Sequence, residues 1–213
     1  MRTELLIAQL ARQAGPVRAL LPPKTLLARW AVVSTISIAA GIAWYGMRDD
    51  AGAQLVSPAF LLRTLIAVAL AIVAAWHALS WSVPGSEPEG VGRLGPQIVL
   101  VAWASVLLWP LIDSAITARI AAVRWHPQCA AQLASVAVVP AVWMYWQIRR
   151  AAPYALGWTS MQAALAAAAT GAVAVQWICG LAGAGHQLLW HVTPLFVATA
   201  VIGVVGRRAL RRF

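Results

Sequence analysis

Residues 151–206 read AAPYALGWTSMQAALAAAATGAVAVQWICGLAGAGHQLLWHVTPLFVATAVIGVVG, 56 residues without one Asp, Glu, Lys or Arg. A helix needs about 20 apolar residues to cross a bilayer. The stretch therefore holds two crossings, joined by the glycine-rich hinge GLAGAGH at 180–186. Toward the N-terminus, the charged residues frame four shorter gaps. They run from Arg29 to Arg48 (18 residues), Arg63 to Glu87 (23), Arg93 to Asp113 (19) and Arg124 to Arg149 (24). Each fits one crossing. The sequence predicts an all-α bundle of six transmembrane helices, at about 30–47, 60–81, 97–113, 129–148, 158–179 and 187–206.

Composition agrees. Charged residues are 10% of the chain and hydrophobic residues 62%, whereas soluble domains average about 25% charged. Of the 12 tryptophans, Trp30, Trp44, Trp81, Trp125, Trp146, Trp158, Trp177 and Trp190 fall near predicted span ends, where an apolar ring with a polar N–H is favoured. Trp103 and Trp109 are expected in the core. The first apolar run starts near Trp30 after a polar lead, so no cleavable signal peptide is expected. The net charge of +10 does not indicate direct nucleic-acid binding. The basic residues sit beside the spans, as orientation signals and anchors for anionic lipid do.

With six crossings, twelve Lys and Arg fall on one side and four on the other. The basic side faces the cytoplasm, and both termini with it. Cys129 then opens helix 4 and Cys179 closes helix 5, both at the outer face. His126, His186 and His191 share that layer. Cysteine is often only a small buried hydrophobe. Thiolate with imidazole also suits soft or borderline metals, and an oxidising outer compartment permits a disulfide. Bridging requires Cα atoms within about 7 Å.

Enzymatic readings find little support. No Cys-x-x-Cys pair is present. Asp113 is the single intramembrane carboxylate candidate, better read as capping or snorkelling at a helix end, and no nucleophile motif accompanies it. Arg63, His77 and Asp113 all fall near span ends, leaving no ionisable group at the midplane for a transporter. His77 is expected at the interface. A small cation transporter and a structural subunit with inert cysteines stand as alternatives.

Residues 1–28 form a cytoplasmic arm ahead of the six-span domain at 29–213. TELLIAQLARQ at 3–13 reads as an amphipathic helix with Leu6 and Leu10 on one face, and PVRALLPP adds Val17, Leu20 and Leu21. Such an arm fits docking to a soluble partner or lying on the lipid surface. In helix 5, Ala163, Ala167 and Gly171, with Ala164, Ala168 and Ala172, form small-residue stripes that permit close helix contact. That helix is expected at the centre of the bundle.

The arm TELLIAQL…PVRALLPP, SPAFLLR before helix 2, SVPG after it, a cysteine opening helix 4, LLWHVTPLF and the terminal GRRALRRF together resemble the NrsF-type bacterial membrane anti-sigma factors over essentially the whole chain. The resemblance implies a non-enzymatic six-span protein that holds an extracytoplasmic-function sigma factor at the inner membrane. It implies release under heavy-metal or oxidative stress, with Cys129 and Cys179 as the periplasm-facing sensors. No resident cofactor is implied, only transient binding of a heavy-metal ion, for which His126, His186 and His191 are candidate ligands. The arm corresponds to the part that engages the sigma factor, which puts Leu6, Leu10, Val17 and Leu20 at that contact. The chain departs from the family pattern in lacking a histidine directly before the second cysteine and acidic residues after it. Ile178 precedes Cys179 and GLAGAG follows. This departure weakens a metal site built at Cys179 alone, and bears less on thiol oxidation or on capture by Cys129 with the histidines.

Overall fold

The computed structural model describes residues 3–13, 20–112, 126–151, 153, 155–181 and 184–210. Val17 and Asp113 of the sequence analysis lie outside these. Every regular element among the described residues is helical: α1 (Thr3–Gln13), α2 (Pro23–Tyr45), α3 (Ala51–Gln54), α4 (Pro58–Ser80), a 3₁₀ turn (Gly90–Leu94), α5 (Gly95–Ile112), α6 (Pro127–Arg149), α7 (Leu156–Ile178), α8 (Ala184–Gln187), a π-helical turn (Leu188–Val192) and α9 (Thr193–Leu210). Prolines 23, 58 and 127 open α2, α4 and α6. The first helical position suits proline, whose fixed φ is preorganised and whose missing N–H would have no partner there.

Five helices are long and apolar enough to cross a membrane: α2, α4, α6, α7 and the stretch Gly185–Gly206, with mean hydropathy from 1.3 to 2.2. This makes the chain a membrane protein. α5, 18 residues long, forms where the third crossing is expected, and is not one of these five. The first span begins at Pro23 rather than near residue 30. Placing its edge at Arg29 treated one charge as a boundary. The Arg29 side chain is exposed, and a long basic side chain can carry its head outward from within a helix.

α7 is the centre. Within the bilayer-length window, 72% of its residues are buried, against 17–33% in the other four spans. It packs on α4, α9, α6 and α2. The small-residue stripes explain the closeness. A Cβ on Gly171 would run into the backbone carbonyl of Leu133 in α6, and one on Gly206 would lie 2.7 Å from the Ser160 Cβ. The bundle is thus built on backbone contacts that lipid-soluble helices need small residues to make.

Pro140 lies inside α6. Lacking an N–H, it leaves the Val136 carbonyl without its helical donor. In a membrane interior no water can fill that gap. α2 fills it instead: the Ser37 hydroxyl donates to the Val136 carbonyl at 2.7 Å. One turn further, the Trp30 indole N–H donates to the Pro140 carbonyl at 3.3 Å. Trp30, expected at the interface, is therefore a buried residue, 1% exposed. Trp103 is buried as expected. His77, in the last turn of α4, is also buried, set against the start of α5 where a Cβ on Gly95 would lie 3.2 Å from its Nε2.

α1 forms over the residues expected, and none of its side chains is buried. Leu6, Leu10 and Leu20 are all exposed.

Candidate functional site

The two cysteines, 50 residues apart in sequence, meet. The Cys129 Sγ lies 3.5 Å from the Cys179 Sγ, and both thiols are free and buried. Cys129 sits in the first turn of α6, its N–H donating to the His126 carbonyl at 3.2 Å. Cys179 caps α7, its N–H donating to the Val175 carbonyl at 2.8 Å. The close α6–α7 contact at Gly171 and Leu133 brings these two helix ends to one point.

Histidine completes the cluster. The His186 Nε2 lies 3.4 Å from the Cys179 sulfur. One ligand atom from each of Cys129, Cys179, His186 and His191 falls within 4.8 Å of every other. A tetrahedral ion with sulfur at about 2.3 Å and nitrogen at about 2.1 Å separates its ligands by roughly 3.4–3.8 Å. A contraction of about 1 Å would close the four groups on such an ion. The set fits zinc, cadmium and similar thiophilic cations by donor type.

His186 and His191 are five residues apart. An α-helix, at 3.6 residues per turn, sends such positions to different faces. The π turn at Leu188–Val192 widens the helix by a residue and brings both rings to the site, with centroids 5.4 Å apart. His126 stands next to the cluster, its ring 5.6 Å from that of His186, but it is not one of the four converging groups. Its Nδ1 and the His191 Nε2 are buried without a hydrogen-bond partner among the described residues. The Cys129 thiol donates toward Cys179, and with the His191 ring and the Leu181 N–H it holds the Cys179 thiol well below its ordinary range, against the opposing effect of burial. A thiolate is the form that binds metals and reacts with oxidants.

A polar network that sequence reasoning missed holds the segments on either side. Three residues before Cys179, the Gln176 side chain accepts from Thr64 at 2.9 Å and its carbonyl accepts from Arg48 at 3.3 Å. The Arg48 backbone N–H donates to the Trp177 carbonyl at 3.0 Å. Next to His186, the Gln187 side chain accepts from Arg63 at 2.9 Å. Arg48 is 7% exposed, packs over Phe60, and pairs with Asp50, which Gln54 also contacts at 2.9 Å. The legible signal was the pair of long amides, Gln176 and Gln187, inside an uncharged stretch.

The fold and site define a polytopic helical membrane protein with a buried thiol–imidazole cluster at one end of its bundle. The sequence profile of the NrsF family, negative regulator of sigma F, matches residues 10–212, and the chain belongs to that family. No curated protein and no solved structure matches it. The family is one of regulators, and a sigma factor is the partner its description names.

Proposed function

We propose that the protein sequesters an extracytoplasmic-function sigma factor at the bacterial inner membrane and releases it when a thiophilic metal ion or an oxidant engages Cys129 and Cys179. In this reading six helices cross the membrane and both termini are cytoplasmic. Residues 1–28 form the arm whose Leu6, Leu10, Val17 and Leu20 contact the sigma factor. The observation that carries the sensing half is the sulfur–sulfur approach of 3.5 Å beside His186 and His191. Inert cysteines have no need to share one buried point with two imidazoles. The exposed leucines of α1 support the docking half, since they offer an apolar face that no described residue buries.

Binding outside acts inside only if the ligand favours the releasing conformation. Drawing the four groups together pulls the start of α6 onto the end of α7. α6 also reaches the opposite end of the bundle, where, with its amide oriented to suit its neighbours, Gln147 donates to the Leu26 carbonyl at the root of the arm. A reporter driven by the sigma factor in the host tests this. Cadmium should induce it with the wild-type chain and fail to induce it with Cys129→Ser/Cys179→Ser. Equal induction in both sinks the sensing half. Cadmium flux into proteoliposomes would favour a transporter instead.

A further inference from the structure

The structure assigns a second binding site, for the headgroup of an anionic phospholipid, to the end of the bundle opposite the sulfurs. A cavity of about 410 Å³ opens there between the start of α2 and the end of α6. Its lining is of two kinds. Leu20, Leu21, Leu26 and Val83 are apolar, while Arg29 and Arg150 carry charge. Among the described residues no carboxylate lines it, and none forms an ion pair with either arginine. The Arg150 guanidinium lies 3.6 Å from the centroid of the Trp146 ring. That stacking fixes the plane of its N–H donors in advance, which lowers the entropy lost on binding.

Two unneutralised guanidiniums call for an anion, and their planar forks match phosphate oxygens in paired hydrogen bonds. The depth of the cavity chooses between anions. Leu26, Arg29, Trp146 and Gln147 lie near the ends of two helices long and apolar enough to cross the membrane, so the cavity lies where headgroups meet acyl chains. Basic pockets between transmembrane helices at that level are lipid sites. The apolar half of the lining then accommodates the glycerol and first methylenes. A zwitterionic headgroup brings its own cation to two arginines and is disfavoured. Leu20 and Leu21 connect this site to the arm, so an occupied cavity fixes where the arm leaves the membrane. The assignment does not depend on the identity of the soluble partner.

Native mass spectrometry of the full chain, released from nanodiscs of phosphatidylglycerol and phosphatidylcholine, tests it. The wild type should retain one phosphatidylglycerol in preference to phosphatidylcholine. Arg29→Gln/Arg150→Gln should lower that occupancy about tenfold or more, and Arg207→Gln/Arg208→Gln should leave it unchanged. Helical content by circular dichroism and one bound cadmium per chain verify that the first variant is folded, and Arg29→Gln alone serves if it is not. Equal retention of the two lipids, or full retention by the Arg29 variants, overturns the assignment. So does retention of inorganic phosphate without lipid. So does loss of sigma-factor binding in the Arg29/Arg150 variant in nanodiscs of phosphatidylcholine alone, with no phosphatidylglycerol kept by the wild type, which would give the cavity to the protein partner.

Discussion

Arg48 shows how a single residue is set. Its side chain is buried beside the α7 terminus that ends in Cys179, so its charge needs a counter-ion there. Asp50 supplies it. Hydrogen bonds from Arg48 and then from Gln54 hold the Asp50 carboxyl down to about 2. A carboxylate with a depressed value stabilises the folded state above its unfolded value and stops doing so as pH falls through the folded one. The contribution of Asp50 to stability in detergent should therefore be constant from neutrality to about pH 4 and then fall toward pH 2 as Asp50 is protonated. Asp50→Asn should melt lower at pH 6 and lose its share of that acid limb. An unchanged limb in the variant, read by thermal unfolding, would show that the pair does not hold the α7 terminus. In the sequence Arg48 was legible only as a charge between two spans. Its burial follows from how α2 and α7 are rotated, which no spacing of charges specifies.

Among the elements, α6 carries the most consequence. It starts at one sulfur, ends at the cavity near the arm, and carries Pro140 in its interior. The Ser37 hydroxyl replaces the donor that Pro140 lacks. Ser37→Ala should destabilise the chain by about 1–3 kcal/mol, the cost of a buried carbonyl left unpaired. Pro140→Ala restores an N–H to the Val136 carbonyl, so Ser37→Ala should cost much less in that background. A double-mutant cycle with no coupling between the two positions would refute this account of how the Val136 carbonyl is satisfied. Element order and type were readable in advance, because apolar length and the flanking prolines, glycines and charges write helices directly. α7 was legible as the centre from its alanines. The π turn was not, since no local pattern distinguishes LLWHV from an α-helical turn. It is the π turn that turns His191 toward the sulfurs, and so the four converging groups could be named but not assembled.

On the scale of the whole molecule, the sulfur–imidazole cluster and the arm lie at opposite ends of α6, which requires that the bundle transmit. Sequence placed both cysteines at one membrane depth from the positions of their spans. It could not say that they touch, because contact depends on α6 and α7 lying close enough for Gly171 to meet the Leu133 backbone. The most direct test is affinity capture of the tagged full chain from its native membrane, with and without cadmium, in the wild type and in Cys129→Ser/Cys179→Ser. The account predicts a sigma factor captured at rest with both chains, lost with cadmium from the wild type, and kept with cadmium by the variant. Absence of any sigma factor at rest, or its equal loss from both chains with cadmium, would contradict it.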